Sequence, residues 1–365
     1  MTAFSDAELL ALHRELVATP SLSGQEGPLV EHLRGWFAAR GVVAERIGDN
    51  LVARLGEAPY FGLNTHLDTV PACAGWSRDP HDVAVIDGRV FGLGSNDAKA
   101  AAAAMIGAFL RLAARPGAPA GGVLLTLVAQ EEVGGKGTEA LLPELARRGL
   151  APEAAVVGEP TGLDVAIAQK GLLVMELAAT GDACHAAHGR ALGARNAIAE
   201  LAKDLVALDG VDLGPAHPLL GPPTLEPTIV QGGTARNAVP ARATCLLDAR
   251  INPAPGPAET AARVRAALRG ELRIVSDRLR PVEIDPAHPL VAAALRARPA
   301  ARTFGSRGVS DWVFLGAAGI PAIKCGPGLT ERSHTADEYA LESEIVEGAS
   351  FYEALVRAFR EARRP

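Results

Sequence analysis

The sequence is sparing with cysteine: Cys73, Cys184, Cys245 and Cys325 are the only four in 365 residues. They are far apart and no two form a Cys-x-x-Cys pair, which argues against a thiolate zinc site and against a disulfide framework. Reduced residues, most of them in the core, are expected instead. Long apolar runs are also missing. The longest, Ala100 to Leu110, is too short and too rich in alanine to span a bilayer, so no membrane partner is expected. Positive charge is in deficit, with 36 Lys and Arg against 42 Asp and Glu, a net charge of −6 and a pI near 5.9. No basic stripe carries interleaved aromatics, which removes nucleic acid as a partner. The arginines of the closing "VRAFREARRP" read as complements to a helix C-terminus. The N-terminal "MTAFSDAELLALHREL" is polar and acidic, and Ser5 with Glu8 forms a capping box that opens a helix. No signal peptide is read there, and a cytoplasmic location is expected.

What the chain has is enough length for two domains and a composition, 48% hydrophobic and 21% charged, ordinary for a soluble globular enzyme. Short apolar runs alternate with helical patterns: "PYFGLNTHLD" then "AKAAAAAMIGAFLRLAA", "GVLLTLVAQEE" then "GTEALLPELARRG", then "EAAVVGEPT". That alternation predicts an α/β fold, a mostly parallel sheet flanked by helices. The texture changes after Lys170, where "GLLVMELAATG", "NAIAELAKDLVAL", "PTIVQGG", "ATCLLDARI" and "ETAARVRAALRG" predict a separate sheet with helices on one face. The first texture resumes near Arg280, with "PAIKCGPG" as a buried strand and "EIVEGASFYEALVRAF" as the closing helix. Residues 1–171 and 280–365 are therefore expected to form one domain and residues 172–279 a smaller inserted α+β domain.

The strand "VLLTLVAQEEVGG" ends on Glu131 and Glu132. For an isolated pair the simpler account is the solvated end of a strand. The company argues otherwise. "GLNTHLDTVP" puts His66 and Asp68 at a strand end, "GLGSNDAK" puts Asp97 before a helix, "VVGEPT" puts Glu159 after a strand, and "GPGLTERSHTADE" puts His334 after another. The carboxyl edge of an open α/β sheet is where such scattered residues converge. Two histidines and three or four carboxylates match the ligand set of a two-zinc hydrolase. Strand alternation points His66 and Asp68 the same way, so Asp68 is expected to accept the free ring N–H of His66 and fix its tautomer. The same alternation predicts that Glu131 and Glu132 do not both aim at one ion, leaving one free as a general base.

With these motifs the chain resembles the zinc-dependent acetylornithine deacetylase and succinyl-diaminopimelate desuccinylase family, which includes aminoacylases and carboxypeptidases. The resemblance runs from "TPSLSGQE" to "RSHTADE". It implies a zinc-exopeptidase-like catalytic domain in which His66 and Glu159 hold one zinc, Glu132 and His334 hold the other, Asp97 bridges them and Glu131 is the base. Cobalt substitutes for zinc in this expectation. It further implies a homodimer made by the inserted domain, with His185 of "TGDACHAAHGR" reaching the partner's site and helping to hold the oxyanion. "HAAHG" departs from relatives that carry Pro at the position of Gly189, which touches the role of His188, and "GSNDAKA" lacks the Gly that commonly follows the Lys. Lys170, Asn237, Arg250 and Ser310 resemble positions that hold the substrate carboxylate or line its pocket. The implied reaction is hydrolysis of the amide of an N-acyl amino acid: metals polarise the acyl carbonyl and acidify a water, whose proton Glu131 takes and later gives to the leaving amine. The stretch from "GSRGVSDWVFL" to "RSHTADE" looks most like deacylases of arginine biosynthesis acting on acetylated ornithine or citrulline. Succinyl-diaminopimelate, succinylornithine and small dipeptides are the alternative substrates. Asp311 is a candidate partner for a cationic substrate side chain. A catalytically silent amino-acid-binding relative is the alternative from another class, and the filled ligand and base positions argue against it.

Overall fold

The structure, a computed structural model, describes residues 4–115 and 121–362. Contacts divide it into two compact units: one comprises the chain up to Ile167 with Ile284–Phe304 and the chain from Ser310, and the other comprises Ala168–Glu283 with Gly305–Val309. The short Gly305–Val309 return into the second unit has no signature in composition or periodicity.

In the first unit a sheet runs in the order Ala44–Ile47, Asn50–Leu55, Gly122–Val128, Tyr60–His66, Pro152–Val157, Ala322–Lys324. Its centre is parallel, Tyr60–His66 pairing with Gly122–Val128 on one side and Pro152–Val157 on the other, and Ala322–Lys324 extending that set. Every residue of Tyr60–His66 and Gly122–Val128 is buried, which is why neither strand alternates between polar and apolar residues. The helix Lys99–Ala114 is buried nearly all round and packs against Asp6–Ala18 and Glu342–Glu361. Its small residues permit this: a Cβ on Gly107 would meet Leu9 at 3.1 Å and Ala349 at 3.5 Å. A leucine at Gly107 would overpack this crossing, at a cost of roughly 1–3 kcal/mol. The capping box at Ser5 and Glu8 forms as read.

The second unit is an antiparallel sheet in the order Thr224–Gly232, Arg242–Ile251, Gly171–Thr180, Glu271–Leu279. Gly171–Thr180 and Arg242–Ile251 alternate in burial, and Leu173, Met175, Leu177, Cys245 and Leu247 meet Leu201 and Val264 of the helices Ala197–Leu208 and Pro257–Ala267. Period-two burial on the strands is what one covered face produces.

Two expectations change. Cys245 and Cys325 are buried, but Cys73 is exposed and Cys184 half-buried. Arg360, in the last turn of the closing helix, is not a solvated complement to the helix end. It is buried, pairs with Glu153, and donates to the carbonyls of Pro59 and Gly122. Arg363 and Arg364 lie outside the described residues. Among the described residues no helix is long and apolar enough to cross a membrane.

Candidate active site

Because Tyr60–His66 runs parallel to both neighbours, the segments that leave these strands emerge along one edge. His66 is the last residue of its strand, Glu131 and Glu132 follow Val128, Glu159 follows Val157, and Asp97 precedes the helix Lys99–Ala114. His334 comes after the 3₁₀ turn Thr330–Arg332. All six come together. His66 Nε2 lies 3.2 Å from Asp97 Oδ1 and 3.9 Å from Glu159 Oε1. His334 Nε2 lies 2.9 Å from Glu132 Oε1 and 3.8 Å from Asp97 Oδ2. The two oxygens of Asp97 thus face different histidines. Donor atoms lie within 4.8 Å of one another in three trios: His66, Asp97 and Glu159; His66, Glu131 and Glu132; Asp97, Glu132 and His334.

The second of these trios is not what strand alternation predicts. The strand ends at Val128, and residues 131–134 form a turn in which alternation has no force. Side chains from elsewhere shape the turn by accepting successive amides: Asn50 Oδ1 from Ala129 (3.0 Å), Glu26 Oε1 from Gln130 (3.0 Å), and the two oxygens of Asp68 from Glu131 (3.0 Å) and Glu132 (3.1 Å). Gly135, at φ 67°, closes the turn, and a Cβ there would sit 2.2 Å from the Phe314 ring. Both glutamates therefore aim toward His66.

Asp68 differs in a related way. His66 Nδ1 lies 3.0 Å from the main-chain carbonyl of Asp68 and 3.5 Å from its carboxylate Oδ1. The carbonyl fixes the tautomer and leaves Nε2 with its lone pair toward Asp97 and Glu159. The carboxylate, which also accepts from the Ser23 hydroxyl at 2.7 Å, is spent on the turn of Glu131 and Glu132.

The electrostatics call for a cation. Four carboxylates crowd a largely buried space, and burial with the charge of Asp97 lifts Glu159 to about 8. Burial and Glu159 hold Glu131 well above the carboxylate range. Burial alone would push His66 down, but Asp68, Asp97, Glu131 and Glu159 carry it well above its ordinary value. The hydrogen bond that His334 donates to the Glu132 carboxylate raises His334 to about 9. Divalent cations on this nitrogen and oxygen donor set would relieve the same crowding, so the residues fit them.

Ser310 is buried in the first unit, as is Asp311, which accepts from Thr138 at 2.7 Å and rises to about 6 through burial. The other substrate-side candidates lie in the second unit. Lys170 is buried; its Nζ donates to the Pro222 carbonyl at 2.5 Å, and burial, Arg307 and Arg250 lower its pKa. Arg250 makes two bonds to Asp248, at 2.8 and 3.1 Å. His185 is exposed and paired across a two-residue ladder with Ala238, and the Asn237 carbonyl accepts from Ala186 at 2.8 Å. Gly189 is buried, and a Cβ there would stand 2.8 Å from Val239. His188 stacks at a tilt on His185, centroids 5.7 Å apart.

Glu26, Asn50 and Lys324 escaped the sequence reading. Lys324 ends its strand facing the charges of Glu159, Glu131 and Asp97, and burial lowers its pKa. Its strand-end position in "PAIKC" was a usable signal; nothing local marks Glu26 or Asn50.

Residues 62–358 match the profile of peptidase family M20/M25/M40. The chain is 30% identical to succinyl-diaminopimelate desuccinylase of Phenylobacterium zucineum, across 98% of this chain and 100% of that one. Among solved structures it is similar to a tripeptidase of Staphylococcus aureus, with a TM-score of 0.80 at 21% identity over 98% of this chain and 99% of the other. It is also similar to the Bacillus subtilis YXEP protein, described as a dinuclear metal-binding peptidase of the M20 family, with a TM-score of 0.72 at 17% identity over 98% of each chain. With the fold, the strand-edge cluster and the family match over residues 62–358 in agreement, the chain belongs to peptidase family M20/M25/M40 and is a hydrolase of amide bonds.

Proposed function

We propose that the protein is a two-metal amidohydrolase that removes the acyl group from an N-acyl amino acid, with an N-succinyl diamino acid as the preferred class. The observation that carries the metal assignment is Asp97, with one carboxylate oxygen toward His66 and the other toward His334. His66 and Glu159 would hold one ion, Glu132 and His334 the other, and Asp97 both. Zinc or cobalt suits these donors, and the YXEP relative's dinuclear site supports the count. When bound, the ions supply Lewis acidity toward the acyl carbonyl and lower the pKa of a water.

The rest is the work of side chains. Glu131 takes the proton of the attacking water and returns it to the leaving amine. Asp68 holds the Glu131 amide and, through its own carbonyl, the His66 ring. His185, acting from the partner subunit of a homodimer, would stabilise the oxyanion. The dimer reading is supported by the strand Thr224–Gly232, which forms one edge of its sheet and exposes Ile229 and Val230, with Ile198 of the neighbouring helix also exposed.

Lys170, Arg250 and Arg307 group positive charge in the second unit, which suits a substrate carrying carboxylates. This grouping and the succinyl-diaminopimelate desuccinylase relatives favour a dicarboxylic acyl group. The motifs of the C-terminal segment favour acetylornithine or acetylcitrulline as the second reading. A panel of N-succinyl and N-acetyl amino acids and dipeptides, assayed with zinc-loaded protein, separates them. We expect the highest kcat/KM on an N-succinyl diamino acid, falling further in Arg307→Ala than on N-acetyl substrates. Turnover of the N-acetyl compounds alone transfers the assignment to them, and no turnover of any member refutes both.

A further inference from the structure

The histidines of the site are held in different ways. His66 is 1% exposed at the end of a central strand, so packing fixes it, whereas the His334 side chain is 49% exposed. Little packs on that imidazole, so its direction must come from its backbone, which stands at φ 60°. That backbone is tied to the Asp97 loop. Fully buried Asn96 pairs its side-chain amide with Leu329 in both directions: Nδ2 donates to the carbonyl at 3.0 Å and Oδ1 accepts from the N–H at 3.0 Å. Nδ2 also donates to Ser333 Oγ at 3.2 Å, and the Ser333 hydroxyl in turn bonds to the Asp97 carboxylate. A Cβ on Gly328, at φ 86°, would come within 2.3 Å of Asn96 Oδ1, so the glycine leaves the Asn96 amide its space. From the other side of His334, buried Glu338 accepts the amides of Gly94 (3.1 Å), Asn96 (2.9 Å) and Asp97 (2.9 Å).

We propose that Asn96 is a positioning residue that, with Glu338, locks the Asp97 loop to the His334 loop and so builds the second metal position, the one shared by Asp97, Glu132 and His334. This rests on the two-metal reading above. The first position shares Asp97 with the second but takes its other donors, His66 and Glu159, from strand ends outside the lock, so it depends on the lock less. The geometry predicts an asymmetric defect: removing the Asn96 side chain weakens the ion at Glu132 and His334 more than the ion at His66 and Glu159.

The test is calorimetric titration of metal-free protein with zinc, repeated with cobalt and followed by its visible absorption. Wild type should bind two ions in separable steps. Asn96→Ala should lose at least about tenfold in affinity for one step and clearly less for the other, since three side-chain hydrogen bonds of Asn96 hold the loop. Asn96→Asp, which keeps the acceptor for Leu329 and loses both donated bonds, should fall between. Ser333→Ala interrupts the same chain while leaving the Leu329 pair, and serves where Asn96→Ala does not fold; it should weaken the same step. Two unchanged steps in folded Asn96→Ala or Ser333→Ala overturn the lock, as do two steps weakened equally. A wild type that binds no second ion overturns the two-metal reading and the lock with it, which distinguishes the two failures.

Discussion

Replacing His13 with Gln should remove a specific part of the protein's sensitivity to acid. His13 lies on the helix Asp6–Ala18, fully buried, with Nε2 2.9 Å from the Ser95 carbonyl and Nδ1 without a hydrogen-bond partner among the described residues. Burial lowers its pKa to about 4 against the pull of the Ser95 carbonyl, and the charges of Lys99 and Arg14 lower it further. In the unfolded chain the imidazole titrates near about 6.5. Between these values the unfolded state binds a proton that the folded state refuses, so stability falls as pH falls through that window. At pH 5 the unfolded group lies about 1.5 units above the solution pH and the folded group remains neutral, so the loss relative to pH 8 is about 2 kcal/mol, approaching ~3 kcal/mol near pH 4.

The assay is urea unfolding at pH 8 and pH 5. Trp36, Trp76 and Trp312, the only tryptophans, all lie in the first unit with His13, so fluorescence reports that unit. His13→Gln keeps a donor for Ser95 and does not titrate. Other groups contribute equally to both proteins, so the difference between their pH dependences isolates His13. An equal loss in both proteins, or an NMR titration with the His13 ring charged at pH 6, would refute the reasoning.

Glu131→Gln should lower kcat by roughly 10²-fold or more with both ions retained, whereas Glu132→Gln should lose occupancy of one ion as well as turnover; elemental analysis of the two proteins decides, and the opposite pattern exchanges their roles. Dialysis against a chelator should abolish activity, and zinc or cobalt should restore it at about two ions per chain; full turnover by protein verified as metal-free contradicts the metal assignment. Mixing inactive His185→Ala with inactive Glu131→Ala should recover part of the activity through mixed dimers, and no recovery despite confirmed subunit exchange counts against a shared site. Ile229→Lys with Val230→Lys should yield folded monomers by light scattering if the edge strand Thr224–Gly232 carries the dimer.

The sequence by itself determined the architecture and the members of the site. Short apolar stretches such as Gly122–Val128, alternating with helical patterns, predict strands of a parallel sheet buried on both faces, and the change of texture after Lys170 predicts a separate sheet covered on one face. Each functional residue at the end of such a strand inherits its place from the sheet, so the convergence of His66, Glu131, Glu132, Glu159 and His334 was legible before any coordinate. Tertiary structure decided how those residues point. Alternation extrapolated past Val128 failed because four successive amides of residues 129–132 bind Asn50, Glu26 and Asp68, side chains remote in sequence that replace the strand's own geometry with a turn. The same holds for Asp68, whose carboxylate serves that turn while its carbonyl takes the His66 ring, and for Glu338 and Asn96, whose partners lie more than two hundred residues away. A hydrogen bond depends on distances of a fraction of an ångström between atoms that only the closed chain brings together, and periodicity carries no record of them.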